Sequence, residues 1–284
     1  MNRLSRQLIE MALQEDLSDI GDLTSRYFVD ANHQSIGRIV SRENAIISGN
    51  EVAATTCEAV SPSLTFRGLI QDGAGARPGD TVAEISGPTH LILTVERTVL
   101  NFMQRLSGVA TISRRYNEAI AGTGARLLDT RKTTPGWREL EKAAVIHGGG
   151  VNHRMGLYDA IMVKDNHLVA NSNPIELGAR ISEIKAKMPH LKIEVEADTL
   201  NQVADFLAIP GIDTILLDNM SKEELARAVS MRHKIAPGIL LEASGGVNLE
   251  TIRGIAETGV DFISVGALTH SVRSIDLGLD LVAG

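Results

Sequence analysis

The chain has 284 residues, 43% of them apolar, which is enough for one large packed domain or two modest ones. Aromatics make up only 3%, which excludes an aromatic-filled sandwich and leaves the core to Leu, Ile, Val, Ala and Met with 26 glycines; the net charge of −7, without a basic tail, argues against nucleic-acid binding. The single cysteine, Cys57, excludes an intrachain disulfide and a cysteine metal cluster.

The N-terminal sequence MNRLSRQLIEMALQED has no apolar segment of about 7–15 residues, and no later run reaches the roughly 18 that span a membrane. A soluble cytoplasmic protein with no membrane partner is therefore expected. Leu4, Leu8, Ile9, Met11, Ala12 and Leu13 recur at near-helical spacing, so residues 4–14 form an amphipathic helix, ended by the acidic turn EDLSDIGDLTS. Residues 36–41, 44–48 and 64–70 have strand character, and ARPGDTVAEISG is a turn feeding another strand. Residues 51–60 form a helix in whose Ala/Val-rich run Cys57 is an inert core thiol. This mixture predicts a small α+β domain with antiparallel pairing.

From Glu96 the pattern changes. Val99, Phe102, Met103, Leu106, Val109, Ala110 and Ile112 mark a long helix, with a break expected near Ser107–Gly108. Apolar strands then follow around 125–129, 160–164, 192–196, 213–218, 239–243 and 262–266. Helical runs at 174–188, 199–207, 221–232 and 249–257 lie between them, with Asn248 as a cap and Ser221 with Glu224 as a capping box. That alternation predicts a parallel sheet closed into a barrel or partial barrel. The strands end in LLDTRK, IMVKDN, IEVEAD, ILLDN, LLEASGG and ISVGALTH, and polar residues at successive strand ends converge on one pocket in such a fold.

The candidate residues fall into three groups. Arg131, Lys132, His153, Arg154 and Lys164 come from the stretch Asp129–His167; they suit a strongly anionic small molecule, because guanidinium groups grip carboxylates bidentately and clustered bases repel until an anion joins them. Arg138 and Lys142 are more simply explained as a solvated helix surface. Glu194, Glu196 and Asp218 are carboxylates that could hold Mg²⁺ or ribose hydroxyls. Ser244, Gly245, Gly246, Gly266 and His270 allow a phosphate to approach backbone N–H groups. His147 and His153 lack metalloprotease spacing, and no P-loop or dinucleotide fingerprint is present.

The segments EDLSDIGDLTS, ERTVLNFMQRLSGVAT, DTRKTTPGWR, HGGGVNHRMGLYDAIMVKDNH, IEVEA, LLDN, EASGG and SVGALTHS, in that order, closely resemble the quinolinate phosphoribosyltransferases. Asp198 and Thr199, after IEVEA, are the one visible local variation. The resemblance implies an α/β fold of type II phosphoribosyltransferase kind: an N-terminal α/β sandwich over 1–108 ending in a connecting helix, an incomplete α/β barrel over 109–269, and a tail over 270–284 that packs back on the first domain. It also implies a homodimer or higher oligomer and a Mg²⁺ requirement. The implied reaction converts quinolinate and phosphoribosyl pyrophosphate to nicotinate mononucleotide, pyrophosphate and CO2. By the same resemblance, Arg131, His153, Arg154 and Lys164 surround the quinolinate carboxylates, and Arg97 reaches them from a neighbouring subunit. Lys132 lies near the carboxylates and pyrophosphate and is counted as catalytic with Glu196 and Asp218, which sit by the ribose and metal; Ser244, Gly245, Gly246, Gly266 and His270 take the 5′-phosphate. The alternatives are a transferase for a monocarboxylate such as nicotinate, which needs fewer bases, and a non-catalytic phosphate-binding barrel. Whether Arg105 belongs to the pocket or to a salt bridge elsewhere is open from sequence.

Overall fold

A computed structural model describes residues 1–168 and 173–283. The helices and strands, in order, are α1 (Arg3–Leu17), α2 (Leu23–Phe28), β1 (Gln34–Ser41), β2 (Ala45–Ile46), α3 (Asn50–Val60), β3 (Thr65–Gly68), β4 (Gly75–Ala76), β5 (Thr81–Pro88), α4 (Thr89–Ala119), β6 (Arg126–Leu128), α5 (Arg138–His147) and β7 (Ile161–Val163). They continue as α6 (Asp165–Leu168), α7 (Pro174–Lys187), β8 (Ile193–Ala197), α8 (Leu200–Leu207), β9 (Thr214–Asp218), α9 (Lys222–Ile235), β10 (Leu240–Ser244), α10 (Ile252–Ala256), β11 (Phe262–Ser264), α11 (Ala267–His270) and β12 (Leu277–Ala283). Two compact units result: Met1–Arg114 with Thr133–Gly149 and Leu268–Gly284, and Arg115–Lys132 with Gly150–Ala267.

In the first unit an antiparallel sheet runs β12-β1-β5-β3. The last strand pairs with β1 from Ser35↔Ala283 to Ser41↔Leu277, which holds the C-terminal segment against this sheet. Ile39, Val82 and Ile85 from the sheet meet Cys57 of α3 and Ile92, Val95, Val99 and Met103 of α4 in one buried cluster. Burial pushes the Cys57 thiol up to about 12, so it stays protonated. No break interrupts α4 at Ser107–Gly108. Gly108 is required for another reason: a Cβ there would stand 2.3 Å from Arg273 O, so the glycine admits the chain near its C-terminus against the helix.

The second unit is a six-stranded parallel sheet in the order β6-β11-β10-β9-β8-β7. This is the cyclic order of an α/β barrel laid open between β6 and β7, the incomplete barrel that the resemblance implies. Strand alternation assigns the two faces. Val195, Ile215, Leu217, Leu241, Ala243 and Ile263 are buried on one, and Glu194, Glu196, Asp218, Glu242, Ser244 and Ser264 stand on the other. Ser221 and Glu224 form the expected capping box. Asn248 instead accepts from the N–H groups of Glu250 and Thr251, so it shapes the turn that leads into α10 rather than its first residue. Thr199 and Gln202 make a second capping box at α8, which gives the local variation after IEVEA a structural role. No helix among the described residues is long and apolar enough to cross a membrane.

Candidate active site

At the C-terminal ends of the parallel strands lies a cavity of about 660 Å³. Its lining includes Arg131, Lys132, His153, Arg154, Lys164, Glu196, Asp218, Ser244, Gly245 and Gly246, so three separate sequence groups meet in one place. Gly266 lies two residues after Ser264, which does line the cavity, but is not itself part of the lining. Arg97 and His270 belong to the other compact unit. There Arg97 borders a cavity of about 320 Å³ with Glu15, Asp16, Phe102 and Trp137, and its side chain is 61% exposed.

The glycine-rich end is built by two interlocking turns. Asn219, at φ 53°, donates from its backbone to Ser244 O (2.9 Å) and from its side chain to Asp218 Oδ2 (2.6 Å). Gly245 sits at φ 92°, and a Cβ on it would come within 2.1 Å of Asn219 Oδ1. Glycine is thus demanded twice, by conformation and by the neighbouring turn.

At the basic end, Arg154 donates long hydrogen bonds to Ala160 O (3.3 Å) and Met162 Sδ (3.5 Å). Burial, and then the charge of Arg131, holds its pKa below the usual guanidinium value. Two guanidinium groups close enough to repel one another favour the approach of an anion. Lys164 Nζ meets Glu196 Oε2 at 2.5 Å. Asp218 is raised above the ordinary carboxylate range, first by burial and then by Glu196.

Beneath these lies a trio that the sequence reading only half identified. His153 Nε2 stands 3.1 Å from Glu194 Oε2 and 3.4 Å from Glu242 Oε2, and both carboxylates are buried. Burial lowers the His153 pKa, but the hydrogen bonds to Glu194 and Glu242 outweigh it and raise it to about 10. Burial also raises Glu194. The Arg154 N–H approaches Nδ1 at 2.6 Å, which leaves Nε2 as the proton-bearing nitrogen. The raised pKa values of His153 and Glu194 both favour proton binding between these two groups. Its ligand atoms lie within 4.8 Å of one another, close enough for a divalent cation, which would first have to displace the Nε2 proton. Asp129 is fully buried and orients the segment by accepting from the His153 backbone N–H (2.8 Å).

Glu242 and Asp129 do not stand out as site residues in the sequence, although both lie in segments that carry the family resemblance. Period-two alternation back from Ser244 puts Glu242 on the cavity side, and that was the available signal. Lys142 does not lie on a solvated surface: it is completely buried, on the inward side of α5.

An incomplete α/β barrel with bases, carboxylates and glycine turns at its strand ends defines the class, a binder of small polyanions that carry both carboxylate and phosphate groups. Residues 22–107 match the quinolinate phosphoribosyl transferase N-terminal domain and residues 109–280 its C-terminal domain. A nicotinate-nucleotide pyrophosphorylase [carboxylating] of Mycobacterium leprae is 42% identical over 279 residues, covering 98% of this chain and 97% of the relative. A probable enzyme of the same description from Bacillus subtilis is 38% identical, over 99% of this chain and 95% of its own length. The solved structure of the nicotinate-nucleotide pyrophosphorylase of Francisella tularensis superposes with a TM-score of 0.90 at 34% identity, covering 99% of this chain and 97% of that one. The chain belongs to the quinolinate phosphoribosyl transferase family, and its fold is the type II phosphoribosyltransferase kind.

Proposed function

We propose that this chain transfers phosphoribose from phosphoribosyl pyrophosphate to quinolinate and decarboxylates the product, giving nicotinate mononucleotide, pyrophosphate and CO2. The observation that carries this reading is the meeting, in one cavity, of Arg131 and Arg154 with Glu196, Asp218 and the Gly245–Gly246 turn. The two guanidinium groups suit a substrate with two carboxylates; nicotinate, with one, would leave part of the mutual repulsion uncompensated.

In the first step the pyridine nitrogen lone pair forms a bond to the anomeric carbon as the C–O bond to pyrophosphate breaks, the electron pair leaving with pyrophosphate. Glu196 and Asp218 stabilise the positive charge that develops on the ribose, and Lys132 stabilises the leaving group. The ring nitrogen is then cationic. When the bond to the 2-carboxylate breaks, its electron pair remains on the carbon beside that cation, CO2 departs and a proton takes its place. Arg131, His153, Arg154 and Lys164 hold the carboxylates in orientation for this step.

Glu196 and Asp218 would suit a hard divalent cation: both offer oxygen donors, and a positive charge nearby would offset the burial and the Glu196 charge that raise Asp218. Bound there, Mg²⁺ would neutralise charge on the pyrophosphate. In the proposed homodimer or higher oligomer, exposed Arg97 enters the site of a neighbouring copy. The exposed apolar side chains Leu4, Met11, Tyr27 and Phe28 supply surface for such an association. A cytoplasmic location accords with this chemistry.

The test is an assay of purified protein with quinolinate, phosphoribosyl pyrophosphate and Mg²⁺, following nicotinate mononucleotide and CO2 together. Equal yields, abolished by chelation, are expected. Product from nicotinate but none from quinolinate would overturn the substrate assignment. Phosphate-ligand binding without turnover would overturn the reaction.

A further inference from the structure

Arg105 and Glu141 answer the question that the sequence left open. The Glu141 side chain is completely buried. Its carboxylate accepts from Arg105 Nη2 (2.9 Å), from the Thr134 backbone N–H (3.0 Å) and from Thr134 Oγ1 (2.9 Å). Arg105 also donates to Thr269 O (2.6 Å) and Val272 O (3.0 Å). One guanidinium–carboxylate pair therefore fixes two points of the chain: Thr134, two residues after Lys132, and Thr269, the residue before His270.

The neighbouring turn is fastened as well. Arg138 Nε donates to Thr133 Oγ1 (3.0 Å), Trp137 N to Thr134 O (3.0 Å), and the Trp137 ring lies 4.9 Å from that of Phe102 on α4. By contrast, the adjoining Arg131–Lys132 segment carries bases needed for ligand. A buried ion pair is poor evidence for stabilisation in itself, since an apolar pair of similar volume often does as well. The feature that calls for an ion pair is the backbone N–H of Thr134, which needs an acceptor in a defined position.

We propose that the Arg105–Glu141 pair is a positioning element for the transfer reaction, holding Thr134 and so the end of the segment that carries Arg131 and Lys132. The proposal rests on the function argued above. Neither Arg105 nor Glu141 touches substrate; they act through the residues whose backbone they hold.

The distinguishing measurement is a double-mutant cycle. Glu141→Gln keeps an acceptor for Arg105 but presents an amide donor to the Thr134 N–H. Steady-state kinetics would be measured for this variant alone and combined with Lys132→Ala, together with thermal unfolding. Alone, kcat/KM for phosphoribosyl pyrophosphate is expected to fall about 10- to 100-fold. In the Lys132→Ala background most of that loss should vanish, because the group being positioned is gone. Should Glu141→Gln fail to fold, Thr134→Val, which removes the hydroxyl that donates to Glu141 and leaves the ion pair in place, is expected to show a loss of about threefold with the same non-additivity. Equal fold-losses in both backgrounds, or a loss accounted for by the unfolded fraction, would overturn the positioning role. Wild-type turnover of quinolinate in the same assay keeps the two readings apart: an active wild type with additive losses counts against the pair alone, whereas an inactive wild type overturns the functional reading and the positioning role with it.

Discussion

The two ends of the parallel strands treat buried charge in opposite ways. At their starts, carboxylates are matched. Asp213 accepts from Lys185 Nζ (2.7 Å), Lys192 Nζ (3.1 Å) and the backbone N–H of Ile193 (2.8 Å). Asp261 repeats the arrangement one strand pair later, accepting from Leu241 N (2.8 Å) with Arg232 3.3 Å away. Further along the same strands, Glu194 and Glu242 each keep a buried oxygen, Oε1, without a hydrogen-bond partner, and Asp218 is raised by burial and by Glu196. Satisfied charge at the starts holds strands together; strained charge in the interior and at the ends is the signature of chemistry. The separation implies that stability and activity can be damaged independently.

The largest effect that would break or confirm this division is expected from Arg154→Ala. Loss of a guanidinium that closes on a desolvated carboxylate costs about 3 kcal/mol or more, so kcat/KM for quinolinate should fall by at least about 100-fold. The Tm should hold, because the native contacts of Arg154 are long ones. Wild-type kinetics at subsaturating quinolinate would remove Arg154 from the site. Next in size is Gly245→Ala. The positive φ and the 2.1 Å approach to Asn219 force the turn to shift, and a loss of about tenfold in kcat/KM for phosphoribosyl pyrophosphate is expected, with little change for quinolinate. An equal loss for both substrates would show that the turn is not a phosphate site.

The opposite end gives the converse result. Asp213→Ala strands the Ile193 N–H and removes an ion-pair partner from Lys185 and Lys192, costing about 2 kcal/mol and lowering Tm by about 4–8 °C. Activity per folded molecule should be unchanged. A fall in kcat at a temperature well below unfolding would mean that the strand starts also tune the site.

Much of this division was legible from residue order. The 3.6-residue and two-residue periods gave the helices and strands, and the polar strand ends gave the cavity, because both signals are local. Pairing across distant segments was less accessible. Glu141 and Lys142 lie on a short amphipathic helix whose polar residues point inward, so a pattern that assumes polar means exposed puts Lys142 on the wrong side. Gly108 has the appearance of a helix breaker when its only visible neighbours are along the helix; the Arg273 carbonyl that requires it lies far off in sequence. Glu242 stood in a quoted motif, but only its pairing with His153 makes it part of a site.

The smallest predicted effect tests the comparison through pH. Folding raises the affinity of His153 for a proton, to a pKa of about 10, and raises that of Glu194 as well. The folded chain therefore holds more protons than the unfolded one, and stability falls as pH rises: the His153 contribution is complete below the ordinary histidine value near 6.5 and is lost on the way to about 10. Asp213 has the opposite sign. Burial raises its pKa, but hydrogen bonds from Lys185 and Ile193 outweigh this and lower it, so its contribution is present above the ordinary aspartate value near 3.9 and lost as pH falls further. Thermal unfolding should show both limbs in the wild type. Glu194→Gln removes one of the two carboxylates facing His153 and should flatten the alkaline limb by about 2–4 °C while leaving the acid limb alone. Asp213→Ala should do the reverse. An alkaline limb as steep in Glu194→Gln as in the wild type would mean that the interior trio does not hold the additional proton, and the contrast between the two ends would then rest on geometry alone.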